Sequence, residues 1–282
     1  MNESDTAAKI FLLATEAEAG IAAAVEAVHA GHCIVVPTDT VYGIGADAFS
    51  AAAVKGLLEA KRRGADMPPP VLIAERSMLR ALASDVPADA TALAKAFWPG
   101  ALTMILKAQR SLRLELGETN GTVAIRVPAH DGLRELLRHT GPLAVSSANI
   151  SGEPAANDCG EAVTMLGDSV AVYLDGGRTS GQGASTIVDF TATDGGRVVR
   201  QGAVSFADLA AVVPSLQPVA VVEETPVDEI AEAALAPAIA APDAEDGPTS
   251  GAESPEAPAL GAPDSSDDEA TIKLEPGAEP TS

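Results

Sequence analysis

The 282-residue chain is short of several residue types, and each shortage excludes a class of protein. It has two cysteines, Cys33 and Cys159. They fall in no metal-ligand or redox spacing, which excludes a disulfide scaffold and suits a reducing cytoplasm. No apolar run approaches the roughly 18 residues of a membrane-spanning helix. The first twenty residues open acidic and hold only four consecutive apolar positions, 10–13, so they do not read as a signal peptide. Basic residues are scarce, 18 against 40 acidic ones for a net charge of −22. A general nucleic-acid binder is normally basic, so this balance argues against one, although a local basic cavity is compatible with it. The common chemical signatures are missing as well. There is no G-x-x-x-x-G-K-[ST], no G-x-G-x-x-G after a strand, no H-E-x-x-H or C-x-x-C, and no G-x-S-x-G. The four histidines stand in no catalytic motif.

The charge that is present is unevenly placed. Residues 216–282 carry 16 acidic residues and one basic one, Lys273, a net of −15, which leaves −7 for residues 1–215. Ten of the 20 prolines lie in the same C-terminal stretch, and no aromatic residue follows Phe206. An acidic, Ala- and Pro-rich segment without aromatics cannot bury enough apolar surface to offset its ordering entropy. The expectation is one α/β domain over residues 10–208 and a disordered acidic tail over 216–282.

Two periodicities alternate along the body. Helical spacing runs over 17–30, closed by Gly31, and again from an N-cap at Ser50 through Lys61. Further helices are expected at 76–83, 89–97, 131–139 and 160–166. Short β-branched runs predict strands at 33–36, 71–74, 102–107, 122–127, 143–146, 170–174, 185–190 and 198–200. Gly43-Ile44-Gly45 and Gly181-Gln182-Gly183 read as turns. Strands interleaved with helices give an α/β fold with a mostly buried, mixed sheet.

Polar clusters recur where these strands end. They are Pro37-Thr38-Asp39-Thr40-Val41-Tyr42-Gly43, Lys61-Arg62-Arg63, Arg126 inside Thr122–Pro128, Ser146-Ser147-Ala148-Asn149, Ser185-Thr186 and Arg200-Gln201-Gly202. Each has a plain structural explanation. Threonine and Asx turns account for the first, and cations at a helix C-terminus, worth about 0.3–1 kcal/mol, account for the second. Arg126 is harder to dismiss, because a buried guanidinium needs a partner and suits a carboxylate or phosphate. Together the clusters repeat one device, an apolar strand delivering small polar or cationic groups to its end, where ligands of open α/β sheets bind. On residues alone this supports an anionic ligand.

The segments PTDTVYGIGADAF, EAKRR, FWPGALT, TVAIRVP, VSSANISG, ASTIVD and VVRQG occur in that order. They resemble the threonylcarbamoyl-AMP synthases, the TsaC/YrdC-like family, over residues 10–208. The resemblance implies a twisted open mixed sheet around a positively lined cavity. It also implies a cytoplasmic nucleotidyltransferase that joins L-threonine, bicarbonate and ATP into L-threonylcarbamoyladenylate, releasing pyrophosphate for later tRNA modification. Position by position it implies that Thr40, Arg126, Ser147 and Ser185 bind L-threonine. It places Lys61 and Arg63 at the reacting phosphates as catalytic residues, and Thr122, Asn149, Asn157 and Arg200 at ATP. Preorganised cations would stabilise the negative charge that develops. Mg²⁺ would arrive with ATP, held by phosphates and water and with no dedicated protein site. The implied partners are threonylcarbamoyl-transfer proteins acting on tRNA, with at most a weak direct tRNA contact and no membrane. The chain departs from the family pattern after Arg63, where Met67 cannot make the polar ATP contact expected there. Two other readings stand beside the synthase. One is an RNA-binding module of the same fold, disfavoured by the body's charge of −7 and the intact Lys61/Arg63 and Ser147/Asn149 pairs. The other is a paralogue making a different carbamoyl-type adenylate.

Overall fold

A computed structural model describes residues 8–179, 183–192 and 195–219. Among the described residues ten strands form one mixed sheet in the order β1-β8-β2-β3-β7-β4-β6-β5-β9-β10. The strands are β1 (Lys9–Leu12), β2 (Ile34–Val36), β3 (Gly43–Asp47), β4 (Val71–Leu72), β5 (Leu102–Lys107), β6 (Thr122–Arg126), β7 (Leu143–Ser147), β8 (Val172–Asp175), β9 (Thr186–Asp189) and β10 (Arg197–Arg200). The helices are α1 (Leu13–His29), α2 (Ala51–Ala60), α3 (Leu79–Leu82), α4 (Ala88–Phe97), α5 (Asp131–Thr140), α6 (Cys159–Leu166) and α7 (Phe206–Val212). Parallel pairs (β1 with β8, β4 with β6, β5 with β9) are mixed with antiparallel ones (β2 with β3, β3 with β7, β5 with β6).

Local chemistry sets several boundaries. Gly31, at φ +82°, turns the chain out of α1, a conformation that costs glycine nothing. Ser50 caps α2 by accepting from the Ala53 N–H. Glu16 breaks the helical geometry near the start of α1, so regular helix begins where the Ala-rich spacing begins. Two expectations need correction. Gly43-Ile44-Gly45 is not a turn but the start of β3, central in the sheet, with Ile44 fully buried. The structure also adds β1 and α7, which the expected elements do not include. Gly181 and Gln182 lie outside the described residues.

The two faces of the sheet are filled differently, and this makes room for a site. One face packs against α2, α3, α4, α6 and α7 in the main core, which takes Leu102, Met104 and Leu106 from β5. The other face meets α1 and α5 around Ile34, Val36, Leu143 and Val172. Beyond those helices the same face carries a small cluster of Ile105, Ala124 and Ile187. Leu72, Val145 and Ile187 from this face form the floor of an open cleft.

Packing continues past the family-like segments. Leu216 is buried, and Gln217 pairs with Arg197 on the sheet-edge strand β10. From residue 220 onward the chain, including most of the stretch read as an acidic tail, lies outside the described residues.

Candidate active site

The loop after β2 and the end of β6 build one wall of the cleft. Arg126, the last residue of β6, is 6% exposed. Its Nε donates to the Gly100 carbonyl at 3.0 Å, one terminal nitrogen to Thr40 Oγ1 at 3.0 Å, and the other to Asp39 Oδ1 at 2.6 Å. Burial presses its pKa down from the ordinary value, and the Asp39 carboxylate pulls it back up. A guanidinium has five N–H donors, so two remain for a ligand. The partner that a buried arginine demands is thus Asp39, from the PTDT turn itself. The turn is fixed by Thr38, whose Oγ1 donates to the Val41 carbonyl and accepts from the Thr40 N–H. Tyr42 anchors its far end, buried completely and donating to the Gly177 carbonyl at 2.6 Å, and burial raises its pKa.

Lys61 and Arg63 enter from the end of α2. Lys61 is 1% exposed, so it is no solvated helix end. Its Nζ donates to the Ser147 carbonyl at 2.7 Å, the Asn149 carbonyl at 2.9 Å and Asn149 Oδ1 at 3.3 Å. Its own carbonyl accepts from the Ser151 N–H. Lys61 therefore fastens the Ser-Ser-Ala-Asn segment at the end of β7 and puts a positive charge against it. Arg62 takes up a left-handed turn, φ +54°, between the two cations. Arg63 reaches Ser146 Oγ at 3.3 Å. Also in the cleft lining, Arg200 donates to both the carbonyl and Oγ of Ser185, and Ser185 Oγ lies 2.8 Å from Thr103 Oγ1.

Thr40, Lys61, Arg63, Arg126, Ser147, Asn149, Ser185 and Arg200 all line this cleft. They come from six separate segments, and the described charges on its wall are four cations against the single carboxylate of Glu153. Residues 26–202 match the Sua5/YciO/YrdC family, described as “Telomere recombination”. The chain belongs to the Sua5/YciO/YrdC family. It is 52% identical over 172 residues to a Mycobacterium tuberculosis protein provisionally named threonylcarbamoyl-AMP synthase, covering 61% of this chain and 79% of that one. The threonylcarbamoyl-AMP synthase of Pyrococcus abyssi is 38% identical over 162 residues, 57% of this chain and 48% of its own. The crystal structure of P. abyssi Sua5 complexed with L-threonine superposes with a TM-score of 0.66 at 34% identity, covering 70% of this chain and 58% of that one. The chain thus spans less than two thirds of Sua5 and most of the mycobacterial relative.

The structure separates the family-derived residues into two groups. Two of the ten stand apart from the cleft lining. Thr122 opens β6, at the opposite end of that strand from Arg126, and its Oγ1 donates to the Thr119 carbonyl. Five strand residues at about 3.3 Å each keep the two ends well apart. Asn157 receives Thr179 hydrogen bonds, and its N–H donates to Glu161 Oε2, in the segment leading into α6. From the departing loop after Arg63, Pro70 lines the cleft and Met67 does not. Residues that sequence reasoning did not assign also belong here: Thr38, Thr103, Ser146 and Ser151 line the cleft, and Asp39 stands behind it on Arg126. Asp39 was signalled by the need of a buried arginine for a carboxylate. Thr103 carried no signal, because a threonine in a strand is ordinary. The site is also broader than a strand end, since Leu72, Val145 and Ile187 place it across a sheet face.

Proposed function

We propose that this chain is an L-threonylcarbamoyladenylate synthase. The observation that carries the reading is the convergence of Lys61, Arg63, Arg126 and Arg200, with Thr40, Ser147, Asn149 and Ser185, on one cleft of a protein that is otherwise acidic. In the proposed reaction the amine of L-threonine attacks the carbon of bicarbonate, forming a carbamate as water leaves. A carbamate oxygen then attacks the α-phosphorus of ATP, and the bond to the β-phosphate breaks to release pyrophosphate.

Each group has a part it can play. The two remaining donors of Arg126 suit the threonine carboxylate, bidentate recognition being what a guanidinium does best. Arg63 and Arg200 both line the cleft and suit the phosphates. The Lys61 ammonium already donates to the Ser147 and Asn149 carbonyls and to Asn149 Oδ1, so its proposed role is the field of a buried charge rather than a direct grip on phosphate. Pre-set cations need little reorganisation as charge develops, and holding three reactants together supplies much of the rest. Among the described residues no cluster of three or more His, Cys, Asp or Glu side chains could hold a metal. Glu153 is the carboxylate bordering the cleft. These residues fit Mg²⁺ only as an ion carried on the ATP phosphates, where it would screen their charge. The adenylate would pass to transfer proteins acting on tRNA. No helix among the described residues is long and apolar enough to cross a membrane.

The test is direct. Protein, ATP, Mg²⁺, bicarbonate and L-threonine are mixed, and pyrophosphate and the adenylate are followed. Release that requires both threonine and bicarbonate is expected. Release without threonine dependence points to another amine, and no release with tight RNA binding points to a binding module.

A further inference from the structure

The hydrogen-bond polarity of Thr40 is fixed by its neighbours. Thr38 Oγ1 carries one hydrogen and lies 2.6 Å from the Val41 carbonyl, which can only accept. That hydrogen is therefore spent. Thr38 Oγ1 and Thr40 Oγ1 are 3.0 Å apart, so the hydrogen between them must come from Thr40. Arg126, 3.0 Å from Thr40 Oγ1, can only donate to it. The Thr40 hydroxyl thus gives its one hydrogen to Thr38 and one lone pair to Arg126. What is left for the cleft is a lone pair, an acceptor.

We propose that Thr38 is a positioning residue that locks the Thr40 hydroxyl as an acceptor, and that the group it accepts from is the α-amine N–H of the substrate amino acid. This rests on the synthase reading and deepens it. An α-amino acid carries an acceptor, its carboxylate, and a donor, its amine, on one carbon. The wall presents the complementary pair side by side, the donors of Arg126 next to the acceptor of Thr40. A hydroxyl free to rotate would take either polarity and would discriminate less. With its hydrogen held by Thr38, Thr40 cannot donate to a second carboxylate or phosphate oxygen. It holds the nitrogen that must attack, while Arg126 holds the carboxylate.

The experiment uses the full chain in two arms, with threonine-dependent pyrophosphate release by the unsubstituted protein established first, so that failure of the synthase reading shows before any variant is made. In the first arm Thr38→Val is compared with Thr38→Ser. The KM for L-threonine is expected to rise about tenfold or more in Thr38→Val, the scale of one hydrogen bond to a charged group. The KM for ATP should stay within about twofold, a change too small to represent a lost contact. Thr38→Ser, which keeps the hydroxyl, should restore most of the threonine affinity. A merely structural Thr38 would lower the melting temperature and disturb both substrates alike. In the second arm, binding of L-threonine and of 3-hydroxybutanoate, which has hydrogen in place of the amine, is measured on the unsubstituted protein and on Thr40→Val. The substitution should weaken L-threonine binding about tenfold or more and barely change the weak binding of the deaminated ligand. Equal losses for the two ligands, or an unchanged threonine KM in folded Thr38→Val, overturn the proposal. The second arm remains decisive if Thr38→Val does not fold.

Discussion

At the scale of the residue, Arg126 and Lys61 show how burial decides what a cation does. Arg126 is paired internally with Asp39, so Arg126→Ala has two effects. It removes the proposed carboxylate clamp, and it takes the guanidinium away from the Asp39 carboxylate, whose side chain is 14% exposed. Truncating a buried charge-assisted contact costs about 2–5 kcal/mol in binding, and breaking a buried pair costs stability on a similar scale. The expected outcome is a threonine KM raised far more than the ATP KM, together with a lower melting temperature. The double variant Asp39→Asn/Arg126→Ala, which removes the carboxylate charge as well, should regain part of the melting temperature and none of the threonine affinity. Unchanged threonine dependence in a folded variant removes Arg126 from the substrate site. Lys61→Ala should both unfold more easily and turn over slowly, because the two buried oxygens of Asn149 lose this donor, at about 1–3 kcal/mol each if left unsatisfied, and the Ser147 carbonyl loses one of its two. A folded Lys61→Ala with normal melting and normal pyrophosphate release would refute the charge-and-fastening role. That Arg126 and Lys61 are candidate site residues was legible in the sequence, and both line the cleft. How each is engaged was not, because hydrogen-bond partners 86 to 88 residues away are a property of the sheet.

Elements carry the site through their ends and close approaches. α5 is capped by His130, whose Nδ1 accepts from the Leu133 N–H and so must be unprotonated there. Burial holds the His130 pKa below its ordinary value, more than Asp39 and Asp131 raise it. The folded state therefore binds this proton at lower pH than the unfolded chain does. Its contribution to stability is complete above the ordinary histidine value, about 6.5, and is lost as pH falls through the lower folded value. His130→Asn keeps a capping acceptor that does not titrate. Melting followed from pH 7.5 down to about 5, across the histidine range, should fall less steeply for this variant; an equal slope would mean that other groups set the acid sensitivity. A second element-level case is Gly202, where a Cβ would overlap the Ala184 carbonyl oxygen. Gly202→Ala must push Ser185 away from Arg200, so about 1–3 kcal/mol of stability and most synthase activity should be lost together. Loss of neither, by melting and pyrophosphate release, would show that the strand β9 and β10 ends can move apart freely. Sequence pattern was a good guide to elements with a clear apolar period, such as β5 and α5. It failed at β3, because Gly-Ile-Gly offers turn residues while the tertiary pairing with β2 and β7 makes them a strand. The expected strand 122–127 already put Thr122 and Arg126 toward its opposite ends, but the pattern could not show which end meets the cleft.

For the molecule as a whole, the clearest contrast is between an anionic chain and a cationic cleft. The net charge of residues 1–219 is −7, since positions 216–219 are uncharged, and that of residues 220–282 is −15. The packed body extends to Val219, which touches the main core. Composition supports the proposal that residues 220–282 bury little and contribute little to folding. Deleting 220–282 should therefore leave the melting temperature and threonine-dependent turnover close to those of the full chain at physiological ionic strength. The cut has to fall after Val219, because a cut at 216 removes buried Leu216 and the Gln217 pairing with Arg197. That shorter form should melt lower, by an amount typical of losing a buried leucine, about 2–5 kcal/mol. Comparing the two truncations separates packing from charge. A large loss on cutting after 219 would mean that the acidic segment packs on the body. A change in ATP requirement confined to low salt would mean that it acts only through its field, which is screened beyond about 8 Å at 0.15 M salt.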